Sequence, residues 1–455
     1  MLFARLLLDT SFFLLPLKRD KETRDSELRR IAFIVTVGFL LRLFFVLLNF
    51  HSLPLSDHFE GFGAEMGWTA RSLATGHGYS SPFFPQTGPT ALVPPLYPLF
   101  LAGIFRVFGL YTNAAAFVAL ALNSVFSSLT VAVIFYGIKN RVGHRTALGT
   151  AWLWALYPYS VYYSAVYLWD FALTSLLFSS CFFLAINRLS QFGRFGWSGY
   201  GLLAGLTVLS NPSVLPLLIL LTGFAAWKRW QDDGRVFQRM VLSGLCMAAV
   251  LSPWVLRNQH VFHRSMVLRD GFWGEFYAGN NGDTSHSNCD WTHPASNAHE
   301  MLRYKELGET GYMDEKRRLS LDHIHSHPAQ FVGVTIRRMV RYWTGYWSFS
   351  RQYLSNQELD IPNVPLCTLL TIVMTLGICA MWRTSRQEAL PYIASFILFP
   401  LPYYFTHASI DYRQPIEPLI VVAVVYGFVW LCERYTLYGF ASKRIPFMVA
   451  QSSTE

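Results

Sequence analysis

Three carboxylates crowd one short stretch, "SDHFEGFGAEMGWTARSLATGHGYSSPF" at residues 56–83: Asp57, Glu60 and Glu65. A carboxylate held outside a membrane can serve as general base toward an acceptor hydroxyl. Asp170, in "YSAVYLWDFALTSLLF", supplies a further acid. Two arginines complete the set: Arg257 in "SPWVLRNQHVF" and Arg413, next to Tyr412, in "HASIDYRQPIEPL". Arginine stays charged and grips phosphate with two parallel hydrogen bonds. A base on one side and a clamp for a departing phosphate on the other suit transfer of a group from a phosphate carrier to a hydroxyl. Each residue also has a plainer role. Glu65 can be a helix-start acid that complements the dipole. Asp57 and Glu60 can be solvated loop charges, Asp170 an N-cap, and the arginines anchors to lipid headgroups.

These residues need elements to hold them, and composition says which. The chain has 455 residues, 52% hydrophobic and 14% charged, against about 25% charged in soluble domains. Its apolar residues gather into runs near the ~20 residues that cross a bilayer as a helix. The chain reads as an all-α polytopic membrane protein, and the net charge of +9 follows from the positive-inside rule rather than from nucleic-acid binding. The predicted spans are about 31–50, 113–137, 146–165, 170–188, 199–210, 213–227, 239–256, 364–382, 389–406 and 415–433. "SNPS" at 210–213 reads as a turn between two short spans or a kink in one long span. The turn gives ten spans and places the basic stretches 139–145, 228–239 and 383–388 on one side with "KRDKETRDSELRR" (18–30) and the tail. The domain plan is a cytoplasmic or interfacial segment 1–30, a bundle 31–256 with a first outer loop 51–111, a large outer loop 257–363, terminal spans 364–433 and a cytoplasmic tail 434–455. Residues 1–17 and 328–349 read as interfacial helices.

Two other signals are weaker. "HIHSHP" places His323 and His327 four apart, as a helical metal pair would be, but a solvated polar loop explains it as well. No metal site or cofactor is predicted, although a divalent ion is compatible with the reading. The six cysteines show no CxxC and no zinc spacing, and no disulfide framework is expected. There is no GxGxxG, GxxxxGK[ST] or DxD stretch for a nucleotide. A transporter or flippase would bury charge mid-span, and Arg42 is the main residue that does so.

The segments "EMGWTARSLATGHGYSSPF", "GPTALVPPLYPLFLAGIFRVFG", "LYPYSVYYSAVYLWDFAL", "PWVLRNQHVF", "FWGEFYAGNN" and "DYRQPIEPLI" occur in this order over most of the chain. In that order they resemble the GT-C superfamily, close to the bacterial protein O-mannosyltransferase and lipid A aminoarabinose transferase families. The resemblance implies a GT-C-like bundle of about ten helices in the cytoplasmic membrane, with its site facing outward. It also implies a polyprenyl-phosphate sugar donor, an acceptor hydroxyl on a protein, lipid or glycan, and inversion at the anomeric carbon. An acid in the first outer loop would be the base, and a second would open the fourth span, where Asp170 stands. The sequence departs from the family pattern in one place. Counting back from Ala70, the usual Asp-Glu pair falls on Phe62 and Gly63, which leaves Glu65, Glu60 or Asp57 as base. A ligase moving whole lipid-linked glycans is the near alternative, and a transporter the distant one.

Overall fold

The computed structural model describes residues 21–53, 62–84, 86–231, 233–264, 266–282, 292–345 and 360–439. Asp57, Glu60 and the 1–17 segment lie outside them. The helices are α1 Lys21–Asn49, α2 Ala64–Ala74, α3 Leu96–Phe108, α4 Asn113–Val142, α5 His144–Leu156, α6 Pro158–Ala165, α7 Phe171–Asn187, α8 Arg194–Ser210 and α9 Leu215–Trp227. They continue with α10 Val236–Phe262, α11 Phe272–Gly279, α12 Ala298–Ser326, α13 Pro328–Thr344, α14 Asp360–Thr384, α15 Arg386–Leu398, α16 Leu401–Phe405 and α17 Glu417–Gly439. Among the described residues no strand forms, and one isolated antiparallel bridge joins Ser80 to Pro89.

Every predicted span has a helical counterpart, and the chain is a multi-pass membrane protein. By length and composition, five segments can cross a membrane unaided: Asp25–Asn49, Asn113–Val142, Val236–Phe262, Val364–Thr384 and Asp411–Cys432. Prolines divide several of the others. Tyr157 is extended and Pro158 starts α6, so the 146–165 span is two helices. Proline pushes the residue before it out of the helical region. Asn211 is likewise extended before Pro212, and its side chain accepts from the Ser213 N–H, which ends α8 before α9 begins. Two boundaries move. α10 runs through Pro253 to Phe262, so Arg257 sits within a helix rather than opening a loop. The 51–111 stretch contains α3 in addition to α2.

Arg42 is fully buried, and its N–H groups donate to Ser127 Oγ, Ser160 Oγ and the carbonyls of Gly38, Trp154 and Ala155. It therefore ties α1 to α4 and to the α5–α6 break. The terminal helices meet still more closely. A Cβ on Gly377 would lie 2.0 Å from the Ala423 carbonyl oxygen, so only glycine permits that crossing of α14 and α17.

The two ends of the bundle differ. At one end the basic loops interlock. Lys139 pairs with Glu27 and Arg141 with Glu388. Arg141 also donates to Asn187 Oδ1, and Lys228 to the Ile186 carbonyl. At the other end α2, α3 and α11–α13 pack over the bundle. Arg257 binds the 51–111 stretch there through the Tyr79 and Thr90 carbonyls, each at 2.6 Å. Its guanidinium lies over the rings of Tyr79, Trp254 and Phe262. Glu309, after the break at Gly308 in α12, accepts from the Ala91 N–H, the Thr90 hydroxyl and the Tyr304 hydroxyl. α13 exposes Val332, Ile336 and Val340. His323 and His327 stack with ring centroids 4.7 Å apart, and His327 has left the helix. Among the described residues no three metal-ligating side chains come together.

Candidate active site

A cavity of about 330 Å³ opens at the end of the bundle away from the basic loops. The start of α2, the start of α7, the α8–α9 turn, the stretch before and within α11, the segment before α12 and the chain after α16 all line it. Four carboxylates face it: Glu65, Asp170, Glu275 and Asp411. Among the described residues Arg269 is the one arginine or lysine on its wall.

Glu65 owes its place to the turn before it. Gly63 has φ 83°, and a Cβ there would lie 2.2 Å from the Leu168 carbonyl oxygen. A left-handed residue pressed against backbone must be glycine. The same turn sets the first loop beside the chain that leads into Asp170. A side chain at 63 would clash, and Glu65 stands two residues on, in the first turn of α2. Its side chain is 13% exposed, and its Oε1 lies 3.0 Å from His293 Nε2.

Asp170 is buried at 2% exposure. It holds the N-cap position of α7, yet its side chain makes no capping bond. Its Oδ2 accepts instead from Thr174 Oγ1 at 2.7 Å, and Thr174 meets Ser210 Oγ at 2.7 Å. On the facing wall Tyr412 stacks on Tyr403, with ring centroids 4.8 Å apart. Its hydroxyl lies 2.6 Å from His407 Nε2, and His407 Nδ1 lies 3.2 Å from Glu275 Oε2.

The two arginines singled out from sequence lie elsewhere. Arg413 is fully buried; its Nε donates to Glu417 Oε1 at 2.7 Å, and Glu417 Oε2 accepts from Tyr157. Arg257 is spent on backbone carbonyls and aromatic rings, as above. Neither lines the cavity. Both stand at span ends in the sequence, but one turns into the bundle and the other into the first loop. Arg269, which sequence reasoning passed over, has a side chain 36% exposed and an Nη2 4.0 Å from Glu275 Oε1. No local pattern marks it in the sequence; in the fold, a Cβ on Gly271 would lie 2.8 Å from Arg269 Nη2. Glu275 and His293 join the site only through folding, whereas His407 shares the 407–419 stretch with Tyr412.

Outside the cavity, burial raises the Glu309 carboxyl to about 7, against the opposing pull of its three hydrogen-bond donors. Asp270 rises to about 6, through burial first and the nearby Asp314 second.

Residues 92–256 match the family described as dolichyl-phosphate-mannose-protein mannosyltransferase. No curated protein matches the chain. Among solved structures, the chain is similar to the archaeal oligosaccharyltransferase AglB from Archaeoglobus fulgidus, in complex with an inhibitory peptide and a dolichol-phosphate. Identity is 13% and the TM-score 0.53, over 94% of this chain and 53% of that one. The apo form of the Archaeoglobus fulgidus oligosaccharyltransferase gives 14% identity and a TM-score of 0.50, over 91% and 51%. ArnT from Cupriavidus metallidurans, bound to undecaprenyl phosphate, gives 13% and 0.35, over 90% and 79%. The chain spans about half the length of the two oligosaccharyltransferases. The match to the mannosyltransferase family thus covers one segment of the chain, and the likeness to the two oligosaccharyltransferases is one of fold.

Proposed function

We propose that the chain is an integral-membrane glycosyltransferase. It moves a sugar from a polyprenyl-phosphate carrier to an acceptor hydroxyl on the extracytoplasmic face, with inversion. The observation that carries the reading is the cavity that holds Glu65, Asp170 and Arg269 together. Glu65 takes the proton of the acceptor hydroxyl as its oxygen attacks the anomeric carbon. The bond to the carrier phosphate breaks on the opposite side of that carbon, and Arg269 receives the developing negative charge. Asp170, held by Thr174, faces the same space and orients the acceptor or the sugar. Tyr412 and Tyr403 offer an aromatic face to the sugar ring. Arg257 and Arg413 are left out of the donor clamp and keep their structural bonds.

The sidedness rests on α7. Its 17 residues, Phe171–Asn187, run from the Asp170 N-cap at the cavity to the basic end, about 25 Å at 1.5 Å per residue. Positive loops face the cytoplasm, so the cavity faces outward, in the cytoplasmic membrane. The mid-span charge that would suggest a transport path, Arg42, is consumed by five protein acceptors. The acceptor is a protein, lipid or glycan hydroxyl.

The test uses membranes from a deletion strain expressing the full chain, with the strain's own polyprenyl-phosphate sugar fraction as donor and mass spectrometry of glycans and lipids as readout. Glu65→Gln should cut turnover by about 10²–10⁴, the usual share of a general base, with expression unchanged. Full transfer by Glu65→Gln protein would defeat the assignment of the base. A deletion strain altered only in a transported solute would defeat the transferase reading itself.

A further inference from the structure

We infer that His293, delivered by the large outer segment, is the positioning residue that holds Glu65 in its working orientation. The inference rests on the reading of Glu65 as base. Glu65 and His293 are separated by 228 residues, yet His293 Nε2 lies 3.0 Å from Glu65 Oε1. Two readings of such a pair are possible in principle: the imidazole is the base and the carboxylate orients it, or the reverse. The other ring nitrogen decides between them. The Ala295 backbone N–H donates to His293 Nδ1 at 3.2 Å. A neutral imidazole has one N–H and one lone pair. With the Nδ1 lone pair engaged, the proton sits on Nε2 and points to Glu65. Both nitrogens are then committed, and His293 has no lone pair to take a proton from an acceptor. The imidazole donates and the carboxylate receives.

The ring is itself well fixed. Its own carbonyl accepts from the Ser296 and Asn297 N–H groups. Asn297 caps α12 by accepting from the His299 and Glu300 N–H groups. The neighbouring Thr292 carbonyl accepts from Tyr312, whose hydroxyl also donates to Glu300 Oε2 at 2.7 Å. Glu300 in turn pairs with the buried Lys316 at 2.6 Å. Phe83 meets the ring edge-on, with centroids 5.1 Å apart. A donor held this firmly selects one carboxylate rotamer, and leaves the second oxygen of Glu65 for the substrate. Precise placement of a catalytic group is worth orders of magnitude in rate.

The experiment compares His293→Leu, His293→Gln and Glu65→Gln in the full-length protein, at matched expression, in membranes of the deletion strain. The probe is the polyprenyl-phosphate sugar fraction extracted from that strain, titrated to separate turnover from apparent donor KM. His293→Leu should lower turnover roughly 10- to 100-fold, the scale of a hydrogen bond to a charged group, with the donor KM within about twofold of wild type. His293→Gln, whose amide N–H reaches where Nε2 stood, should recover most of that loss. A residue that only holds the fold would move KM or expression and would not be rescued by glutamine. Wild-type turnover in His293→Leu beside an inactive Glu65→Gln overturns this inference and leaves the transferase reading standing. So does a glutamine variant as slow as leucine. Full turnover in Glu65→Gln overturns this inference together with the assignment of Glu65 as base.

Discussion

Arg413 and Arg269 stand in two regions of the molecule and show two uses of the same cation. Arg413 is at 0% exposure, bound to Glu417 within the bundle, with its Nη1 reaching toward the Tyr342 and Trp343 carbonyls. Arg269 is 36% exposed on the cavity wall, and among the described residues the carboxylate it pairs with, Glu275, is 4.0 Å away. The first has its charge neutralised and most of its donors committed; the second can still accept a ligand. A charge that the protein has already satisfied holds helices together, and only an unsatisfied one can bind a phosphate. Arg42, with five acceptors of its own, belongs with Arg413.

Mutation of each arginine should separate the two roles. Arg413→Ala leaves Glu417 buried without its partner, and removing one member of a buried pair costs about 3–5 kcal/mol. Thermal unfolding in detergent should show that loss, and an unchanged melting temperature would erase the distinction. Arg269→Ala should keep the melting temperature and weaken donor binding by about 1.5–3 kcal/mol, nearer the lower figure because the site is partly solvated. Tight donor binding by that variant would remove Arg269 from the clamp. A carboxylate sharpens the contrast with smaller effects. Glu417 has an arginine in contact, whereas Glu309 has three hydrogen-bond donors and a carboxyl raised to about 7. An acid raised in the folded state binds more protons there than when unfolded. Its contribution is therefore most favourable below the ordinary value of 4.5 and falls as pH rises toward about 7. Wild-type stability should decline over that window, and Glu309→Gln should flatten the decline. Identical slopes for the two proteins would show that Glu309 does not govern it.

The helices were legible because membrane spans announce themselves locally. Long apolar runs, the proline at 212, and basic loops at one end require no knowledge of distant contacts. Asp170 was legible for the same reason, as an acid at the head of an apolar helix. Glu65 was one of three candidates. The contact of Gly63 with the Leu168 carbonyl, which no local pattern records, sets it beside the chain that leads into Asp170.

By itself, the sequence determined an all-helical membrane chain, which end of it is basic, and the presence of carboxylates at the opposite end. These follow from solvation: apolar runs and charges sort themselves between lipid and water one segment at a time. Tertiary structure decided which charges remain available. Arg257 and Arg413 stand near span ends and Arg269 within the long 257–363 stretch, but the partners that consume an arginine come from remote segments. Arg257 takes carbonyls at 79 and 90, and Arg413 borrows Tyr157's partner Glu417. Glu65 receives His293 across 228 residues. Hydrogen bonds are short-ranged, so whether a charge is spent or free depends on what folding brings within about 3 Å of it.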